Sequence, residues 1–583
     1  MCGILALLGD VPERNGSALT DAIAALRARG PEAHRTLYLD DVNGAFYFQR
    51  LAIQGTTGQE GMQPFVGSDL KWMCNGEIYN SHDLLTSLGK KPRIGESDCA
   101  VIGHIYKAFG IERCLQMIDG VFGMAICDTS DKSRKLVHIA RDPFGVRPLY
   151  MLQGDGWHAV ASDVKTLTPF AGSSTRIEAV PPGSYLTFRY VNGSWHTESP
   201  VRYFRLRYSP YVIDTSMLSL ELIDVMTRKM IDSLVNAVFK RVTSTERPVA
   251  CLLSGGLDSS LITALVARMH TGDLRTYCIG MRGSTDLDAA DVVARHIANQ
   301  RAAGIHHTQL TVPSSEFLAA IPDVIKAIES YDTTTVRASV GNYLVAKAIA
   351  SKSDAKVVFN GDGSDEVTGG YIYTAGAGSD IEFDNECRRL VENISNFDVL
   401  RSDRSISSNG LEPRTPFLDR TFVDTYFAIP AMYRNHKSTS AISNSYWDTV
   451  ERELIKSGSL TAADCIRRRP EKLLLRYAIH KWLPGILPDE ILWRSKEAFS
   501  DGVSNCDMSW HRLITEELEE KELPHDIDCE NDHLVPATKE QLYYRHIFNN
   551  LYPQAQLTIP YFWMPRWSDT SDPSARTLTN YGK

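Results

Sequence analysis

The chain has 583 residues, too many for one core at about 100–200 residues per domain, so two or three domains are expected. Hydrophobic residues make up 43% and charged residues 23%, and the net charge of -9 comes with both signs interspersed; no basic tract suggests a nucleic-acid footprint. No stretch approaches the ~18 apolar residues of a membrane span, and ILALLG is too short for a signal core and lacks a basic leader.

The chain opens MCGILALLGD. Methionine aminopeptidase removes an initiator methionine when the next side chain is small, so the mature chain is expected to begin at Cys2. One residue then carries both a thiol and an α-amine, whose ordinary pKa of about 7.7–8.0 leaves a fraction of free base near neutrality. The amine can take the thiol proton and return it to a leaving group, giving nucleophile and base without a histidine. Read alone, CGILALLG equally suits a buried first strand with cysteine as a small hydrophobe.

LTDAIAALRARGPE puts Leu19, Ile23 and Leu26 on one helical face and stops at Gly30-Pro31. WMCNGEIY, GVFGMAICD, KLVHIARD, LYMLQG and WHAVAS are short, β-rich and separated by turn residues, so the first two hundred residues read as layered sheets with few helices. RLAIQG carries Arg50 into an apolar run, NGEIYN holds Asn75 and Gly76, and ESDCAVI brings Asp98. Each has an ordinary reading: a surface charge, a hairpin turn and a helix cap. Together they supply what hydrolysis of an amino-acid amide needs. An arginine grips an α-carboxylate, an aspartate holds an α-ammonium, and an asparagine amide with the next backbone N–H stabilises an oxyanion.

The character changes at residues 205–225. RPVACLLSGGLDSSLITALVARM reads as strand, glycine turn and helix; LRTYCIGM and IHHTQLTV are strands around the helix DLDAADVVARHIANQ. The helix EFLAAIPDVIKAIES and the strand-to-loop segment KVVFNGDGSDEVTGG follow. Alternating strands and helices imply a parallel sheet with ligands at the carboxyl ends of its strands. In SGGLDSS two glycines allow close backbone approach, Ser254, Ser259 and Ser260 offer hydroxyls, and the helix N-terminus favours an anion. The pattern is not a Walker A loop. The acids of NGDGSDEVTGGY cannot all stand unpaired near a triphosphate, so a cation is expected, and the EF-hand pattern is not met. LEPRTPFLD and RSKEAFSDGV look like fixed loops, the second offering Lys496 to a leaving pyrophosphate. Beyond about residue 370 the pattern is mostly helical, and 372–412 and 430–470 are the least readable stretches.

CGI, RGPE, RLAI, NGEIYN, SDC, RDPFGVRPLY, ASDVK and PPGSYL stand in the order used by class II, N-terminal-nucleophile glutamine amidotransferase domains, which residues 1–205 resemble. The resemblance implies an αββα sandwich, Cys2 as nucleophile, Asn75 and Gly76 as oxyanion hole, and Arg50, Leu51, Ala52, Ile53, Gln54, Glu77 and Asp98 around glutamine. The family usually reads RGPD; Glu32 replaces that acid and is expected outside the contacts. SGGLDSS after a strand resembles the pyrophosphate loop of the ATP-pyrophosphatase family, implying that residues 206–583 form a doubly wound parallel α/β domain with added helices.

IESYDTTTVRAS, GDGSDE, PRTPFLD, EKLLLR, KEAFSDGV, YYRHIF and DPSARTL extend the likeness over nearly the whole chain, which resembles the glutamine-hydrolysing asparagine synthetases. That implies glutamine, aspartate and ATP as substrates, magnesium as cofactor, and ammonia passed internally to a β-aspartyl-AMP. Leu252, Ser254, Gly255, Gly256, Asp258, Ser259, Ile279, Asn360 and Gly361 would contact ATP, Asp258 and Asp365 would hold metal, and Asp362 and Lys496 would act in catalysis. The family's loop usually reads SGEGSDE. Here Asn360 replaces its serine, and Asp362 shortens its glutamate by one methylene, about 1.5 Å of reach. β-Lactam synthetase-like enzymes adenylate without glutamine and often lose the terminal cysteine. Glucosamine-phosphate synthases and phosphoribosyl amidotransferases lack SGGLDSS, and a silent scaffold would be expected to lose Cys2, Asp258 or Lys496. The cysteines are odd in number, scattered and free of C-x-x-C pairs, which fits a reducing cytosol. A homodimer is compatible with all of this.

Overall fold

The apolar run after Cys2 forms β1 (Gly3–Leu8), buried at every position because it lies inside a sheet covered on both faces. The computed structural model describes residues 1–56, 59–206, 220–458, 469–497, 502–504, 509–524, 527–570 and 572–574. In the first sheet β1 pairs antiparallel with β3 (Gly44–Arg50) and β9 (His158–Ala161); β2 (Ala33–Leu39), β8 (Tyr150–Gln153) and β10 (Ile177–Ala179) extend it. The second antiparallel sheet holds β4 (Phe65–Val66), β5 (Leu70–Ile78), β6 (Gly120–Asp128), β7 (Lys135–Arg141), β11 (Ser184–Val191), β12 (Ser194–Thr197) and β13 (Val201–Arg202).

Strand alternation explains the layering. Ile4, Ala6 and Leu8 face the second sheet and meet Met73, Ala125 and Ile139, whereas Leu5 and Leu7 face the helix Ser17–Leu26. The far face of the second sheet, with Trp72, Cys74 and Ile126, carries the helix Val101–Met117. The layers run helix, sheet, sheet, helix, as expected. The stripe of Ser17–Leu26 does differ: Ala18, Ala22 and Leu26 are buried, while Leu19 and Ile23 are only partly covered. Small alanines let the helix lie close to the sheet.

The second half is built on a parallel sheet of five strands in the order β16 (Ile305–Thr311), β15 (Leu274–Gly280), β14 (Val249–Leu252), β17 (Val357–Phe359), β18 (Glu412–Arg414). The helices Leu220–Thr243, Leu257–Met269 and Thr285–Ala298 cover one face and Thr333–Lys352 the other, so the sheet is doubly wound. Within LEPRTPFLD, expected as a loop, Glu412–Arg414 is the edge strand; three residues with a proline at their centre are too few for a visible strand period. EFLAAIPDVIKAIES splits into Ser314–Ala319 and Ile321–Ile328, with proline in the first turn of the second helix. The stretch 372–412 contains the helices Asp380–Asn393 and Asp398–Ser407, and 430–458 contains Ala431–Arg434 and Ala441–Lys456. Residues 207–219, where the domain change was read, lie outside the described residues, as do 459–468, 498–501 and 575–583.

The halves share one apolar core: Leu5 and Leu7 of β1 belong to the same buried cluster as Val340 and Val358. Among the described residues no helix is long and apolar enough to cross a membrane.

Candidate active sites

At the first site, the β1–β3 register pairs Gly3 with Gln49, which brings Cys2 beside Arg50 and the turn after it. The Cys2 thiol lies 3.6 Å from the Leu51 carbonyl oxygen, its acceptor. Met1 is buried ahead of it, with its ammonium 3.6 Å from Glu412. Burial pushes the Cys2 thiol up to about 11 against the opposing pull of the terminal ammonium, and burial also lowers the Met1 amine.

Arg50 is a buried cation that makes no ion pair with any described residue. One of its nitrogens donates to the carbonyls of Gly55 at 2.6 Å and Gln54 at 3.3 Å. A desolvated guanidinium without a carboxylate is suited to an anionic ligand. Asn75 and Gly76 lie within β5, not in a hairpin turn. The Asn75 amide donates to Ser162 Oγ at 3.4 Å, and the same oxygen accepts from the β1 amide of Ile4 at 3.1 Å. Asn75 is thereby tied to the strand that carries Cys2. At Gly76 a Cβ would sit 2.1 Å from the Val121 carbonyl oxygen, so the strand pairing admits only glycine.

Asp98 accepts from the Ile78 amide, bringing the second carboxylate to the end of β5, and Ser97 caps the following turn in its place. Burial pushes Asp98 up to about 6. Glu77 accepts from the Gln54 side-chain amide at 2.9 Å and lies 3.3 Å from Arg414; burial, then Glu412 and Asp98, raise it well above the usual range. Glu77 therefore braces the Leu51, Ala52, Ile53, Gln54 turn. Glu32 is not remote: its carboxylate accepts from the Ala52 amide at 2.7 Å and pairs with Arg247 at 2.9 Å. The glutamate reaches the turn and the second domain together.

The second site opens at the carboxyl ends of β14, β15 and β17, where the strand order reverses. Leu252, Ser254, Gly256, Asp258, Ser259 and Ile279 line its cavity, facing Asn360, Gly361, Asp362, Asp365 and Lys496. Gly255 lies behind, against Ala289. The Ser254 and Ser259 hydroxyls are 3.0 Å apart, which fixes the turn. Ser260, expected to offer a hydroxyl, is fully buried and its oxygen has no partner among the described residues, because it lies on the core face of Leu257–Met269.

Asp258 and Asp365 converge on Lys472, whose ammonium lies 2.6 Å from one and 2.5 Å from the other. Lys496 pairs with the other oxygen of Asp365 at 2.6 Å. Burial alone would raise Asp365, but the two ammoniums outweigh it and hold the carboxyl well below its usual range. Burial lowers and Asp365 raises Lys496, and the carboxylate wins. Lys472 takes a left-handed backbone, and a Cβ on Gly370 would fall 1.9 Å from its side chain. EKLLLR thus conceals a site lysine that sequence reading left without a role; its positive φ had no local signal.

Deeper in the cavity Arg401 pairs with Asp398 at 2.9 Å and Asp362 at 3.4 Å, and Glu366 hydrogen-bonds Tyr371. Burial raises Asp362, and burial with Asp398 raises Glu366 well above the usual range. Sequence reading missed Asp398, Arg401 and Glu366; the first two come from a stretch without a legible period.

A family model described as asparagine synthase matches residues 229–382 and 375–571, and one described as a glutamine amidotransferase domain matches residues 1–206. The chain is 37% identical to the "Asparagine synthetase [glutamine-hydrolyzing]" of Gallus gallus and 36% identical to that of Homo sapiens, in both cases over 100% of this chain and 99% of the relative. Among solved structures, a glutamine phosphoribosylpyrophosphate amidotransferase from B. subtilis is similar with a TM-score of 0.29, at 19% identity over 43% of this chain and 60% of that one. Matched along its full length, the chain belongs to the glutamine-hydrolysing asparagine synthetase family.

Proposed function

We propose that this chain forms asparagine from aspartate, with ATP as activator and glutamine as nitrogen donor. The supporting observation is the pairing, in one molecule, of the Cys2 thiol, beside a buried arginine that makes no ion pair with any described residue, with a cavity ringed by a serine-glycine turn, Lys472 and Lys496. We assign residues 1–205 to glutamine hydrolysis and 206–583 to synthesis.

In the first domain Arg50 takes the α-carboxylate of glutamine and Asp98 its α-ammonium. The Cys2 thiol attacks the amide carbon, with the Asn75 amide and the Gly76 N–H receiving the oxyanion. Removal of Met1 gives Cys2 its own amine, which takes the thiol proton and delivers it to the departing ammonia. Water then releases glutamate from the thioester. Leu51 to Gln54 shape the pocket wall, and Glu77 holds them in place.

In the second domain the turn at Ser254–Ser259 receives the phosphates, while Leu252, Ile279, Asn360 and Gly361 meet the nucleotide. Arg401 and Asp398 are charged to hold the carboxylate and ammonium of aspartate. Its β-carboxylate attacks the α-phosphorus, and pyrophosphate leaves toward Lys496 and Lys472. Ammonia attacks the acyl carbon and AMP departs, with Asp362 beside the reacting carboxyl. Asp258 and Asp365 fit magnesium, because two hard carboxylates already converge on one cation, and magnesium is held by few protein oxygens plus phosphate. Bound there, it would neutralise phosphate charge. Ammonia must move inside the protein, since in water it is mostly protonated and is then no nucleophile.

Purified protein given ATP, magnesium and glutamine, with each candidate carboxylate scored for AMP plus amide, tests the reading; amide formed on aspartate alone supports it, and AMP without amide on any acid defeats it. Mass spectrometry of the N-terminus tests Met1 removal. We also place the protein in the cytoplasm and allow for a homodimer, which sedimentation velocity decides.

A further inference from the structure

The turn that follows Arg50 is held at both ends by carboxylates, and one of them belongs to the other domain. Glu246 lies just before β14, the strand that runs directly into the phosphate turn at Ser254. Its two carboxylate oxygens accept from the backbone amides of Gly55 and Thr56, each at 3.0 Å, and the Thr56 hydroxyl adds a third bond at 2.5 Å. The Glu246 amide returns a bond to the Ile53 carbonyl at 3.0 Å. Its neighbour Arg247 holds Glu32, which grips the Ala52 amide at the start of the turn. These bonds leave the phosphate cavity untouched and converge on residues 52–56.

The geometry shows what the grip governs. Arg50 donates to the carbonyls of Gln54 and Gly55, the opposite ends of the two peptides whose amides Glu246 fixes. Moving that backbone turns the guanidinium. Leu51, at the other end of the turn, supplies the carbonyl that accepts the Cys2 thiol. Without Glu246, amides that now meet a charged acceptor must find another, and the arginine loses its fixed orientation.

We propose that Glu246, a residue of the synthesis domain, is a positioning residue for glutamine. Through the amides of Gly55 and Thr56 it orients Arg50, so the glutamine pocket is complete only when the second domain is docked. The proposal rests on the reading of Arg50 as the glutamine carboxylate partner.

The test uses the full chain with Glu246→Ala and the isosteric Glu246→Gln, assayed with glutamine and separately with ammonium. Glu246→Ala should raise the KM for glutamine about tenfold, as loss of charge-assisted hydrogen bonds on the loop predicts, with kcat changed much less. Glu246→Gln keeps one acceptor and should fall between wild type and alanine. Ammonium-dependent synthesis and the KM for ATP should stay within about twofold, which separates positioning from general loss of fold. A glutamine KM within twofold of wild type in Glu246→Ala, or equal losses with glutamine and ammonium, overturns the proposal. Cys2→Ala run alongside separates the two readings: if it retains glutamine-dependent synthesis, the pocket itself is misassigned; if it loses that activity while Glu246→Ala keeps its KM, only the clamp is wrong.

Discussion

The side-chain amide of Asn360 donates to the Ser402 hydroxyl at 2.6 Å, and both residues are buried. Arg401, the neighbour of Ser402, pairs with the Asp362 carboxylate at 3.4 Å. Arg401 thus anchors an acid that is one methylene shorter than the glutamate usual at this place. Ser402→Ala leaves the buried Asn360 amide without its partner. We expect asparagine formation to fall by about tenfold and the melting temperature to drop, consistent with about 1–3 kcal/mol for an unsatisfied buried group. A cycle of Asn360→Ala and Ser402→Ala, read by AMP release, should be non-additive; additive losses would show that the two act separately. Asp362→Ala with unchanged turnover would remove that acid from the mechanism.

Cys2→Ala is expected to abolish glutamine-dependent synthesis and to leave ammonium-dependent synthesis intact, since Cys2 touches the Leu51 turn and lines no part of the nucleotide cavity. Parallel assays of asparagine with the two nitrogen sources check it. Loss of both would mean that the first site also supports the second.

The pH dependence of glutamine use follows from Asp98. Burial raises its carboxyl to about 6, and the ionised form is the one that holds an ammonium. Glutamine affinity should therefore be full above that value and be lost as the pH falls through it, approaching tenfold per unit below. Comparing kcat/KM for glutamine in wild type and Asp98→Asn measures this: the substitution should lower the value at neutral pH and flatten the acid limb. An acid limb that persists in Asp98→Asn assigns the titration to another group.

Lys472→Met removes the ammonium between Asp258 and Asp365 and leaves two buried carboxylates with Lys496 as the remaining close partner of Asp365. Breaking one side of a buried ion pair costs about 3–5 kcal/mol, so AMP formation from aspartate and ATP should fall by about hundredfold or more. Glutaminase activity, measured as glutamate release, should remain. Full AMP formation in the variant would make Lys472 a structural counter-ion only.

Much of this molecule was legible from local pattern. The alternation of βαβ segments announced the parallel sheet, and SGGLDSS after an apolar strand located the phosphate turn, because strand end, glycine and helix start follow one another along the chain. The reading of Cys2 rested on chain position, because the proposed chemistry needs the thiol and the α-amine on one residue. The edge strand Glu412–Arg414 was not legible, since three residues carry no measurable period, and neither were Arg401 and Asp398, whose helix buries polar residues such as Asp403, Arg404 and Ser405 as well as its apolar ones, so polarity does not mark a solvent face.

What sequence alone determined, then, is the order of the amidotransferase and synthase segments and the reacting groups proposed at Cys2 and in SGGLDSS. What only the tertiary structure decided is which distant charges meet: Glu32 with Arg247, Glu246 with the Gly55 and Thr56 amides, Lys472 with Asp258 and Asp365. Backbone propensity acts over a few residues, whereas a buried charge must find its partner wherever packing brings one, as buried Arg29 meets Asp403 374 positions along the chain, and no local pattern records that meeting.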